Sequence, residues 1–366
     1  MFKLRLLFFL LLISGAVFCE AQSVQPVSYW ENRFLKKWEE DSSDITKLST
    51  SNDSWKFYDL SYSIDGFTTM FEATGKPYYL DRALALVYNM INSSTTTSQI
   101  ATSQYKDRYK GWVNKSHPQL GNNGKEYPLY ESYCWRYVTA LLKVMKNTPS
   151  VNSNPTYKSK FSDILAFTEQ NIYDKWIYRG QGNVYRSNTH MFSHWARISM
   201  DLWCITKKNK YKVVFSNFDN RLRKQINVGT RSLLKQSGGA LFWSDKWDRS
   251  NSPGQDVSHG NAVVATIIEL FNCNQGFNKT DIDNLINLLD TKIWLPNKYS
   301  KFIDGSGKGN GWFTDGFIKL GRFDAILQQR IEKHTIGRNI QYFGNGALNA
   351  KILKNGTSFV QDCKCE

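Results

Sequence analysis

One apolar spacing recurs down this chain and limits what it can fold into. Leu80, Ala83, Leu84, Val87 and Ile91 fall at i, i+3, i+4, i+7 and i+11, as do Phe161, Ile164, Leu165, Thr168 and Ile172, and again Ile282, Leu285, Ile286, Leu289 and Ile293. Phe215, Phe218, Leu222 and Ile226 repeat it with a polar interruption, and Val27, Trp30, Phe34 and Trp38 give a fainter first copy. Each set is the apolar stripe of an amphipathic helix. Helices that recur every few tens of residues, none able to bury its stripe alone, must stack on one another. The uneven intervals mark insertions, the longest a polar stretch over 93–126.

Between the stripes lie segments apolar on nearly every side. Residues 262–271 (AVVATIIELF) are the purest, and 57–71, 130–144 and 191–205 follow less strictly. A helix of that kind is covered all round. Alternation of covered and half-covered helices predicts an all-α fold, an (α/α) toroid of about six to seven helical hairpins. An open helical solenoid would keep a stricter period. Gly75-Lys76-Pro77, Asn154-Pro155 and Gly238-Gly239 fall between the expected helices.

Residues 1–21 read as a secretory signal peptide: Lys3 and Arg5, an apolar run over 6–18, then small-residue cleavage options at 17–21. The rest, 22–366, carries no Pro-rich or Gly/Ser linker and reads as one catalytic domain. No second stretch reaches the ~20 apolar residues of a membrane span. Sequons at Asn52, Asn92, Asn114, Asn278 and Asn355 fit a secreted glycoprotein. Cys134, Cys204 and Cys273 sit in covered helices, where buried free thiols are the ordinary reading, and no cysteine spacing suggests zinc. The net charge is +15, and removing Lys3, Arg5 and Glu20 leaves +14 (15 − 2 + 1). Outside a cell that excess favours a polyanion. With no basic run or nucleic-acid motif, an anionic polysaccharide is the expected partner, nucleic acid is not, and the chain is expected to work as a monomer without cofactor.

In a toroid, the starts of the covered helices face one mouth, so polar residues there are candidates for chemistry. Residues 185–195 (YRSNTHMFSHW) place Asn188 at a cap and His190 and His194 one turn apart. H-x-x-x-H without the adjacent Glu is a poor zinc signature, and no metal is expected. Residues 254–262 (GQDVSHGNA) put His259 at the head of the most apolar helix, with Asp256 able to cap the helix or orient the ring. Such an imidazole suits a neutral general base. Residues 127–133 supply Tyr130, further phenols and Glu131; residues 298–305 supply Tyr299. Trp112, Trp243, Trp247 and Trp312 lie in loop-like stretches where an indole face could stack on a sugar.

The toroid repeat, the segment 74–80 (TGKPYYL) entering an outer helix, the Asn188/His190 helix start and 256–260 (DVSHG) together resemble secreted α/α-toroid polysaccharide lyases, nearest in size and layout the glucuronan and alginate lyases of polysaccharide lyase family thirty-eight. The resemblance implies β-elimination on a 1,4-linked uronic-acid polymer. Asn188 would neutralise the carboxylate, His259 would take the C5 proton and Tyr299, with Tyr130 second, would protonate the leaving oxygen. His190, Tyr130, Arg186, Arg249, Trp243 and Trp312 would bind substrate. Two other outcomes are compatible with the same fold. One is a toroid glycoside hydrolase, with carboxylates drawn from Asp59, Glu131, Asp256 and Asp315. The other is a non-catalytic protein that binds anionic glycans.

Overall fold

The computed structural model describes residues 23–224, 226–227, 231–232, 235–246, 254–313 and 315–356. Its helices are α1 (Val27–Thr50), α2 (Phe57–Thr74), α3 (Pro77–Ser93), α4 (Pro128–Asn147), α5 (Pro149–Asn152), α6 (Pro155–Phe167), α7 (Lys175–Tyr178), α8 (Thr189–Thr206), α9 (Asn209–Asp219), α10 (Val257–Asn272), α11 (Lys279–Leu288), α12 (Gly316–Lys319), α13 (Ala325–Lys333) and α14 (Ile340–Asn355). Their boundaries follow local chemistry. Pro77, Pro128 and Pro155 stand at first-turn positions, where a missing N–H costs nothing. Asn278 and Asp281 form a reciprocal capping box at α11. Gly75 ends α2 with φ at 72°, which a side chain would resist.

The ring closes. Along the inside α2 packs on α4, α4 on α8, α8 on α10, α10 on α12, α12 on α14, and α14 returns to α2. The amphipathic helices α1, α3, α6, α9, α11 and α13 form the outer layer. Among the described residues this makes six inner and six outer helices, an (α/α) toroid with the expected number of hairpins, and the return of α14 to α2 excludes an open solenoid. Where those two helices cross, Gly66 sits against the Ile340 backbone, and a Cβ there would lie 2.7 Å from the Ile340 carbonyl. Among the described residues strands are confined to two-stranded antiparallel ribbons, including Trp294–Leu295 with Lys298–Tyr299. The polar excursion over 94–127 is pinned by buried Arg179, which binds Asp107 at 2.8 Å and Glu126 at 2.9 Å.

Two expectations are corrected here. Cys204 and Cys273 are disulfide-bonded, not free thiols; Cys134 is free and buried. The inner helices are also not apolar on every side. Each turns a polar stripe to the lumen, where Asp65 takes Lys319 at 3.1 Å, Gln341 at 2.8 Å and Asn345 at 3.0 Å. Among the described residues no helix is long and apolar enough to cross a membrane.

Candidate active site

The inner helices run parallel, so their N-terminal turns meet at one mouth of the ring. A chamber of about 160 Å³ lies there. Tyr58 and Tyr62 enter it from α2, Tyr133 and Arg136 from α4, His190 and His194 from α8, Ser258, His259 and Asn261 from α10, with Trp312 and Asp315 from the segment before α12. Helix N-termini carry partial positive charge, so the convergence favours an anion at this mouth over a neutral or cationic group.

Asp256 caps α10. Its Oδ1 accepts the His259 N–H at 3.1 Å and its Oδ2 lies 2.7 Å from His259 Nδ1, while the ring itself is exposed. Burial works against the Asp256 charge, but the His259 ring and N–H outweigh it and hold the carboxyl well below the usual range. The carboxylate therefore fixes the imidazole and leaves Nε2 outward, the arrangement of a positioned general base. The His259 ring packs against His190 at 4.1 Å between ring centroids, tilted by 31°, and His190 stands 6.2 Å from His194. Burial first, then the His259 charge, pushes His190 down to about 3. Burial and Arg136 drive His194 well below its ordinary value. Both are neutral at pH 7. His190 Nδ1 and both His194 nitrogens are buried without a hydrogen-bond partner, an expensive state unless something in the chamber completes them.

Opposite the histidines, the Tyr62 and Tyr133 hydroxyls are 2.9 Å apart, Tyr58 stacks on Tyr133 at 4.1 Å, and Tyr133 meets His194 edge-on at 5.3 Å. Burial raises all three phenols, and at Tyr133 the neighbouring Tyr62 and Tyr137 add to the effect, so they are proton donors at neutral pH. Arg136, 1 % exposed, is paired with Asp315 at 3.0 Å and lies over the Tyr133 ring at 4.5 Å. Asn261 donates to the Trp312 carbonyl at 3.2 Å and accepts from the Phe317 N–H at 3.3 Å, which fixes the Trp312 segment against α10. Among the described residues no three His, Cys, Asp or Glu side chains are grouped to hold a metal ion.

Of the residues singled out from sequence, His190, His194, His259, Trp312 and Asp315 line this chamber. Asn188 is at the same mouth, at the head of α8, but its side chain makes no cap bond and is not part of the lining. Its strand-like pairing with Lys246 holds it to one side. Tyr299 is also outside: its ribbon packs the ring on Trp294, Phe313 and His334 and leaves the hydroxyl 3.4 Å from His334 Nδ1. Tyr130 stands one layer behind Tyr58, packed with Trp55, Tyr127 and His117. Arg186 contacts Met191 Sδ at 3.6 Å beside the His190 turn. Trp243 cannot be a sugar platform, because it is 2 % exposed with its indole beneath Gly260. Trp112 is likewise fully buried. Arg249 and Trp247 lie outside the described residues. Tyr58, Tyr62 and Arg136 were missed. Their signal is a one-turn polar spacing, Tyr58–Tyr62 and Tyr133–Arg136, matching His190–His194 at the heads of three inner helices.

No family model and no curated protein matches the chain. Among solved structures, a glycosyl hydrolase family 88 protein of Bacteroides vulgatus superimposes with a TM-score of 0.51 at 10 % identity, covering 90 % of this chain and 99 % of that one. An inactive variant of the α-1,6-mannanase GH76A of Salegentibacter sp. HEL1_6, in complex with α-1,6-mannotetrose, gives a TM-score of 0.49 at 10 % identity over 88 % of this chain and 99 % of its own. At such identity the first likeness speaks to architecture alone: this chain shares the all-α toroid fold of the family 88 protein.

Proposed function

We propose that this chain is an exported glycan-processing enzyme that cleaves a uronate-bearing polysaccharide by β-elimination in the N-terminal chamber. The observation that carries the reading is the convergence, on one anion-favouring mouth, of the Asp256-held imidazole of His259 with protonated phenols at Tyr62 and Tyr133. His259 Nε2 takes the C5 proton next to the substrate carboxylate. The freed electron pair forms the C4–C5 double bond as the C4–O bond breaks, and a phenol of the Tyr62–Tyr133 pair returns a proton to the leaving oxygen. Arg136 and the helix N-termini oppose the charge that builds on the carboxylate. This keeps His259 as base and moves the acid from Tyr299 to Tyr62 or Tyr133. The net charge of +15 supports an acidic polymer. The apolar leader and two disulfide-bonded cysteines support export.

Hydrolysis is the second reading, and the solved neighbour described as a glycosyl hydrolase favours it over elimination. It needs two carboxylates facing across the cleft. Among the described residues Asp315 is the chamber's carboxylate, already paired with Arg136, and Asp256 is committed to His259. Glu131 is fully buried against Lys175 and Trp176, and Asp59 is exposed outside the chamber. A panel of alginate, glucuronan, pectate and glycosaminoglycans separates the two. Elimination yields ultraviolet-absorbing unsaturated ends, whereas new reducing ends without that absorbance refute it and assign hydrolysis. Binding with neither signal refutes both.

A further inference from the structure

The C-terminal ends of the same inner helices meet at the opposite mouth, around a second cavity of about 460 Å³, inside the ~300–1,000 Å³ range of small-molecule sites. The ion pairs Arg136–Asp315, Asp315–Lys319 and Lys319–Asp65 run between it and the N-terminal chamber, and no residue lines both. Its wall holds two buried guanidiniums that the protein does not neutralise closely. Arg197 is 2 % exposed, yet its Nε and Nη1 have no hydrogen-bond partner. Its nearest ion-pair contact is Glu269 at 3.6 Å, and Lys143 already holds that carboxylate at 2.6 Å. Arg322, 3 % exposed, donates to the neutral amide oxygens of Asn349 and Asn345, each at 3.2 Å.

A buried charge left this way costs several kcal/mol, and a planar guanidinium is best completed by a carboxylate. Glu72 on the same wall is a poor counter-ion, since burial pushes its carboxyl up to about 7. Lys143, Lys319 and Lys351 share the wall with Asp65 and Glu269, so with the two guanidiniums the cations outnumber the carboxylates and offset the partial negative charge of the helix C-termini; acceptors come from Asn272 and the threonines. Asn272 Oδ1 is buried without a partner. The Thr68, Thr69 and Thr148 hydroxyls donate to helix carbonyls at 2.7, 2.8 and 2.8 Å, which leaves their lone pairs for a ligand's hydroxyls. We propose that this cavity is a binding site for a small hydroxylated carboxylate, a monomeric sugar acid in size and chemistry, whose carboxylate seats on Arg197 and Arg322 and whose hydroxyls donate to Asn272 and the threonines. The site stands independently of the reaction assigned to the other mouth.

Calorimetric titration of the purified protein with sodium D-glucuronate tests it, with D-glucose and sodium sulfate as the neutral-sugar and bare-oxyanion arms. Saturable glucuronate binding, with glucose silent and sulfate weaker, is expected. Arg322→Gln should weaken it at least about tenfold. Asn272→Leu, nearer the rim and gentler on the fold, should weaken it by about the tenfold that one hydrogen bond carries. Tyr62→Phe, in the N-terminal chamber, should leave it intact. Absence of glucuronate binding, sulfate binding as tight as glucuronate, or loss in Tyr62→Phe with retention in Asn272→Leu would each overturn the assignment. Because polymer turnover is read separately, failure here leaves the proposed reaction standing, and failure there leaves this site.

Discussion

The histidines at the N-terminal mouth make a quantitative statement about stability in acid. An exposed imidazole titrates near 6.5, and in the folded chain His190 is held down to about 3. Between those values the unfolded chain binds a proton that the folded chain refuses. His190 therefore stabilises the fold fully above pH 6.5, and its contribution drains away as pH falls toward 3, at ~1.4 kcal/mol per pH unit. At pH 5 the loss is ~2 kcal/mol, a sizeable share of the ~5–15 kcal/mol that holds a domain together. With 7 % of the residue exposed, solvent screening takes little off this. Glu72 works in the opposite sense: pushed up to about 7, it gains a proton on folding, so stability rises as pH falls through that value. The pH profile of the parent protein alone is therefore not diagnostic, but its difference from His190→Gln is. Urea unfolding followed by tryptophan fluorescence at pH 8 and pH 5 gives both. The variant should lose ~2 kcal/mol less than the parent between the two pH values. Parallel losses, within ~0.5 kcal/mol, would mean that His190 is protonated in the folded chain, and the picture of a neutral, desolvated chamber would fall.

Three further outcomes follow from contacts already described. His259→Ala should lower turnover of the cleaved polymer by ~10²–10⁴-fold. Asp256→Asn, which keeps the α10 cap because asparagine caps as well as aspartate, should lower kcat with KM little changed. A change confined to KM would make Asp256 a structural cap only. Gly66→Ala puts a methyl 2.7 Å from the Ile340 carbonyl and should cost about 3 kcal/mol, read as a fall in urea midpoint at constant m-value. An unchanged midpoint would show that α2 and α14 can separate without loss, and that the ring is not closed as tightly as described.

How much of this was legible in the sequence depends on which face of a helix the information lies on. The outer stripes, such as Ile282, Leu285, Ile286 and Leu289, are written in strong apolar contrast, so the hairpin count and the toroid follow from periodicity alone. The inner helices carry a weaker second pattern inside a mostly apolar background. Tyr58, Tyr62, Asp65, Thr69 and Glu72 recur at i, i+4, i+7, i+11 and i+14, and His190, His194, Arg197 and Asp201 at i, i+4, i+7 and i+11. A reading tuned to hydrophobicity averages that stripe away and takes these helices as covered all round. The same residues are the lumen, and their order along each helix sorts them between the mouths: aromatic and imidazole groups in the first two turns, carboxylates and cations beyond. What no local pattern could supply is the fate of groups on connecting segments. Trp243 and Trp312 look alike in sequence, and only the packing of one under Gly260 and the tethering of the other by Asn261 make the first a core residue and the second a chamber wall. Tyr299 was placed by its neighbourhood to α12, yet two residues of strand pairing with Trp294 and Leu295 are enough to aim its ring at His334. Helix-borne candidates such as His259 are thus held by the periodicity that identifies them, whereas loop-borne candidates depend on contacts distant in sequence. That asymmetry is why the acid in the proposed elimination belongs to Tyr62 or Tyr133, anchored in the first turns of α2 and α4, and not to the tyrosine on the ribbon.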